Sequence, residues 1–74
     1  MADLSRMKVM VEVGCICGNS VNIRGRGTRK SVLCWKCNRE IGYEMSGWMR
    51  AKGYVVDDFV KKSATATVIS QEEE

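Results

Sequence analysis

The chain has 74 residues, a formal net charge of +3 and no histidine. A chain this short makes one domain at most, and its core alone buries too little apolar surface for comfortable stability. No run of about 20 apolar residues exists, which excludes a membrane-spanning helix, and no apolar signal region opens the chain, so the expected location is cytoplasmic, where thiols stay reduced.

In chain order, residues 1–6 are short and polar and are expected to be disordered. From Met7 the sequence alternates, with Met7, Val9, Val11 and Val13 on one side and Lys8, Met10 and Glu12 on the other. That is the period of a half-buried strand, and it runs into Cys15-Ile16-Cys17-Gly18. A second strand is predicted over residues 20–24, with Val21 and Ile23 facing alike. Two glycines then punctuate a basic turn over residues 25–30. A third strand, residues 31–34, leads to Cys34-Trp35-Lys36-Cys37, and a fourth covers residues 40–45, with Ile41, Tyr43 and Met45 on one side. Beyond Met45 the pattern predicts a short helix from an N-cap at Ser46, stopped by Gly53. An extended piece at Tyr54, Val55 and Val56 follows, then a further turn capped by Asp57. This places a metal-held ribbon at residues 7–45 and a helical and extended appendage, packed on it, at 46–62. A weak strand over 65–69 and an acidic flexible tail complete residues 63–74.

The four cysteines stand as two close pairs around a 16-residue insert. Tetrahedral zinc takes four thiolates, and a short spacer lets the backbone fold as a knuckle around half of the ion. Gly18 suits such a turn, because it reaches positive φ without steric cost. Cys15, Cys17, Cys34 and Cys37 are therefore the expected ligands of one structural Zn²⁺. Two disulfides are the alternative; they need an oxidising compartment, and a Cys15–Cys17 bridge closes a very small ring. Four free thiols are the third, and they leave the paired spacing unexplained.

The order of strand, knuckle, hairpin, knuckle and strand resembles the zinc-ribbon superfamily over about half of the chain. That resemblance implies a small metal-stabilised β-rich domain. The Cys15-Ile16-Cys17-Gly18 start is similar to the CSL zinc ribbon of diphthamide biosynthesis, an iron-binding electron donor. Cys34 to Cys37, with Lys36 and Arg39 and the apolar strand after them, looks like the Com-type translational regulators of phages. These begin with C-x-x-C, and the CSL Ser-Leu is absent from Cys34-Trp35-Lys36-Cys37-Asn38.

Charge is the other informative feature. Between Gly14 and Arg39 lie six basic residues and no acidic one, whereas the remainder carries six basic and nine acidic residues. Part of the excess balances four thiolates on a divalent ion. The cations at Arg24, Arg26, Arg29 and Lys30 suit phosphate, with Lys36 and Arg39 beside the knuckle, and Trp35 can stack on an unpaired base or shield the metal. The expected function is a structural-zinc binding module that contacts RNA or single-stranded DNA as a transcription- or translation-associated regulator. An adaptor that binds a protein through Trp48, Met49 and Phe59 is the alternative, although these residues also suit a core, and a rubredoxin-like iron carrier is a third. With no histidine and all thiols used as ligands, neither an enzyme nor a small-molecule substrate is expected.

Overall fold

The computed structural model describes residues 6–73. Of the N-terminal segment expected to be disordered, residues 1–5 lie outside the described residues, as does Glu74 of the expected acidic tail. Seven strands are present among the described residues: β1 (Met7–Gly14), β2 (Ser20–Arg26), β3 (Arg29–Leu33), β4 (Glu40–Gly47), β5 (Arg50–Asp57), β6 (Val60–Ala64) and β7 (Ala66–Glu73). They form two antiparallel sheets, ordered β2-β1-β7 and β3-β4-β5-β6. No helix among the described residues is long and apolar enough to cross a membrane.

The alternation at residues 7–13 survives intact. Met7, Val9, Val11 and Val13 are buried, and Lys8 and Glu12 are exposed. Val11 pairs with Ile23 of β2 on one side and with Val68 of β7 on the other. The inward side chains of this first sheet meet Ile41, Tyr43 and Val55 of the second in a single core. The chain closes on itself there, since β7 pairs with β1 along its length. The strand expected over residues 65–69 is thus present from Ala66, and it continues through Gln71 and Glu72, in place of the expected flexible tail.

The helix expected from Ser46 is absent. Ser46 and Gly47 finish β4, Trp48 and Met49 form the turn, and residues 50–57 return as β5. The Asp57 expected to cap a further turn is the last residue of β5. Local helix preference at residues 48–52 loses to tertiary demand: β4 would otherwise present a free edge, and β5 with its β-branched Val55 and Val56 fills it. Gly53 is no helix stop. It faces Tyr43 across the β4–β5 ladder, while Gly42 faces Tyr54. Tyr54 occupies the space that Gly42 leaves, whereas the space over Gly53 is filled by the Ala64 and Thr65 backbone. A Cβ at Gly42 would collide with the Lys30 carbonyl and lie 2.6 Å from the Tyr54 hydroxyl.

The β5–β6 connection is a two-residue turn with φ of 50° at Asp58 and 64° at Phe59. Positive φ at both central positions is the type I′ pattern, whose twist matches antiparallel strands. Register places this turn and both cysteine knuckles at one end of the molecule. The Gly27–Thr28 and Trp48–Met49 turns lie at the other, where the Met45 amide donates to the Thr28 carbonyl.

Candidate metal centre

The first knuckle joins β1 to β2 and the second joins β3 to β4, so each sheet contributes one. In the first, the Cys15 amide donates to the Asn19 carbonyl at 2.7 Å and the Gly18 amide to the Cys15 carbonyl at 3.0 Å. Gly18 takes φ 93°, as the turn requires. In the second, the Cys34 amide donates to the Arg39 carbonyl and the Asn38 amide to the Cys34 carbonyl, both at 2.8 Å. Here Asn38, at φ 62°, holds the left-handed position. Asparagine is among the few residues besides glycine that do so readily. The C-x-C and C-x-x-C spacings therefore reach the same result, with the extra residue absorbed in a wider turn.

The four Sγ atoms all lie within 4.8 Å of one another. Cys15 and Cys37 are 3.4 Å apart and Cys17 and Cys34 3.8 Å, each pair drawn from opposite knuckles. A disulfide needs about 2.05 Å, so the thiols are not bridged. A tetrahedral ion with metal–sulfur bonds of about 2.3 Å places its sulfurs roughly 3.8 Å apart. The observed separations fit one metal ion bound by Cys15, Cys17, Cys34 and Cys37. Cys15 and Cys34 are buried and Cys17 and Cys37 half-buried, so the cluster is enclosed more on one side than the other.

The surroundings favour thiolates at the second knuckle. Backbone N–H of Cys37 pulls the Cys34 thiol down to about 6, against its burial, with help from the Lys36 amide and the Asn19 side chain. Asn19 Nδ2 donates to Cys34 Sγ at 3.8 Å. The Arg39 amide, and then its guanidinium, lower Cys37 in the same way. Burial pushes Cys15 up to about 12 in the absence of a cation. A divalent ion held by the four cysteines would supply the missing positive charge and favour their thiolate forms.

Arg39 links this centre to the second sheet. Its Nε donates to Asp57 Oδ1 at 3.1 Å, and the thiol of Cys37 and then Asp57 hold its guanidinium firmly in the charged form. Asp57 also accepts from Lys62 Nζ at 3.1 Å. Asn19 and Asp57 were not among the residues expected to serve the site. Asn19 directly follows the first knuckle and could have been suspected from that position; Asp57 is 18 residues from Arg39 and only the β4–β5 pairing brings it there.

The remaining candidates do not form one patch. Ile23 points into the core, so Arg24 and Arg26 project from the outer side of the β2-β1-β7 sheet. Val32 faces the core from β3, so Arg29 projects from the outer side of the other sheet. There Arg29 donates to Glu44 Oε1 at 2.9 Å. The Lys30 side chain lies against Gly25, between the two sheets. The expected flexible basic tip is thus two strands and a two-residue turn that send its arginines to opposite sides. Trp35, 72% exposed, covers no core, and Lys36 beside it is exposed. Of the residues considered for core or partner, Trp48 and Met49 are exposed at the end away from the cysteines, and Phe59, fully exposed, is at the cysteine end. They neither pack on the ribbon nor form one surface. No protein-family model matches the chain, and neither a curated protein nor a solved structure does.

Proposed function

We propose that the four thiolates hold one structural zinc ion and that the domain it supports is a small nucleic-acid-binding module of the regulatory kind. Zinc suits a closed set of four sulfurs, and such a shell leaves no position at which water could be activated, so no catalytic step is assigned to it. Iron accepts the same cage, and elemental analysis with an absorption spectrum separates a colourless zinc protein from a red iron one.

The observation that carries the nucleic-acid reading is the charge of one sheet. Residues 29–64, which hold β3 to β6 and the second knuckle, contain eight Lys and Arg against four Asp and Glu. The strands of the other sheet contain three of each. An excess of cations concentrated in one part of a fold is the electrostatic footprint of a polyanion partner. Titration of the zinc-loaded protein with a labelled oligonucleotide of mixed sequence tests this. Binding at about 50 mM salt that weakens steeply by about 200 mM supports it, and no binding at the lower salt refutes it. The second reading, a protein adaptor, draws on the exposed Trp48 and Met49 at the end away from the metal. A purified protein partner whose binding is lost on Met49→Asp supports that reading.

A further inference from the structure

On the outer side of the β3-β4-β5-β6 sheet, Arg29, Ser31, Glu40, Tyr54, Val56 and Lys61 line an open groove of about 420 Å³. A second hollow of about 220 Å³ shares Tyr54 and Lys61 with it and reaches Lys52 and Lys62. Two groups of charges stand on this sheet, and one of them, around Glu44, lies along these hollows. Glu44 accepts from both Arg29, at 2.9 Å, and Lys61, at 2.7 Å. The other, in which Asp57 accepts from both Arg39 and Lys62, each at 3.1 Å, lies on the Val55 side of β5 and β6. One carboxylate serves two cations in each group. A phosphate can therefore draw on one cation without leaving a carboxylate unpaired, and exposed ion pairs resist such exchange weakly.

At the metal end of the same sheet, Trp35, Phe59 and Leu33 are exposed by 72%, 102% and 65%. Phe59 is the unusual one. A type I′ turn favours glycine at this place, and a bulky side chain at positive φ carries backbone strain. A ring held there with no exposure lost contributes nothing to the core. Exposed aromatic rings beside a cationic groove are the two parts of a single-strand platform, in which bases stack and phosphates are held alongside.

We infer that a single strand of nucleic acid lies along the outer face of the β3–β6 sheet, its bases stacked on Trp35 and Phe59 and its phosphates held by Lys61, Lys52 and Arg29. This rests on the nucleic-acid reading above and adds the surface, the strandedness and the anchors. A duplex keeps its bases stacked within itself and cannot offer them to the two rings, so single strands bind more tightly.

The test uses the full zinc-loaded chain with fluorescent single-stranded and duplex DNA of equal length. Phe59→Gly keeps the turn and its metal content, and weakens single-strand binding by about five- to a hundredfold if the ring stacks; Trp35→Ala does the same. Lys61→Ala with Lys52→Ala flattens the slope of log K against log salt by about 1.4. Arg24→Ala, on the opposite face, leaves affinity within about twofold, since it lies outside the strand's path. Wild-type binding that survives the Phe59, Trp35 and lysine changes but falls with Arg24→Ala overturns the surface and keeps the nucleic-acid reading. Equal affinity for single strand and duplex overturns the stacking. Absence of wild-type binding to either overturns both.

Discussion

The two sheets are built on opposite economies of side chain. The β2-β1-β7 sheet fills its inner side with Met7, Val9, Val11, Val13 and Ile23, and the charges on its strands cancel. The β3-β4-β5-β6 sheet gives the core only Ile41, Tyr43 and Val55 as fully enclosed residues, places glycine opposite tyrosine twice, and carries all of the charge excess. The first sheet packs; the second presents. Beyond the shared core, the cysteine cluster joins them, because each sheet supplies one knuckle and each short sulfur pair crosses from one to the other. A small chain can keep a sparsely packed, exposed sheet when an ion ties it to a better-packed one.

Removing the ion should break that partnership, and it is the largest effect expected. Structural zinc contributes on the order of 10 kcal/mol, comparable to the whole stability of a domain. Strong chelator under reducing conditions should abolish amide dispersion through residues 29–62, and Cys34→Ser should do the same. Any residual order is expected in the β1–β7 pair, whose contacts are apolar and need no ligand. Retention of the native spectrum without metal would show that the cysteine cluster is incidental to the fold.

Within the second sheet the two glycines Gly42 and Gly53 are the tight places. Gly42→Ala puts a methyl group against the Lys30 carbonyl and the Tyr54 ring. Backbone cannot retreat as a flexible side chain can, so a loss of about 1–3 kcal/mol is expected. Thermal unfolding of the zinc-loaded protein measures it. Ser20→Ala, on an exposed position of the first sheet, should change stability by less than about 0.5 kcal/mol. If the two substitutions cost the same, the Gly42–Tyr54 fit is not a packing constraint.

These contrasts show what could be read from the chain and what could not. Cysteine spacing and the alternation of residues 7–13 are local signals, and both lead directly to what is seen. The turn at Trp48–Met49 is different in kind. Residues 46–52 suit a helix when considered alone, and only the free edge of β4 makes them strand. Gly53 is ambiguous for the same reason, since a glycine that ends a helix and one that makes room for the Ala64–Thr65 backbone look alike in sequence. The basic cluster misled because four cations close in sequence seemed close in space. A strand turns successive side chains to opposite sides, and the Gly27–Thr28 turn passes the chain from one sheet to the other. Arg39 likewise reads as a surface cation until Asp57 is seen beside it.

Phe59 offers a smaller and oppositely signed effect. A left-handed conformation costs a residue with a side chain about 1–2 kcal/mol, partly offset because glycine has more freedom to lose on folding. Phe59→Gly should therefore raise stability by about 0.5–1 kcal/mol, read as a higher melting temperature with metal content unchanged. A fall in melting temperature would mean that the ring contributes to packing, contrary to its full exposure.

The smallest effect concerns the shared carboxylate on the presenting face. Lys61, through its hydrogen bond and charge, and then Arg29 hold Glu44 below the usual carboxylate range. A depressed carboxylate contributes stability that is present above its unfolded pKa, about 4.3, and is lost as pH falls through the folded value. The contribution should be slight, since the group is 41% exposed and salt screens it. Carbon-detected titration of the Glu44 carboxyl should give a midpoint below the ordinary range. Lys61→Ala should move it up by more than Arg29→Ala, because the lysine is the stronger cause. Raising the salt to about 0.5 M should move the wild-type value in the same direction. A midpoint indifferent to both substitutions would mean that neither cation stays with Glu44 in solution, and that the second sheet's charge is free of internal pairing at this point.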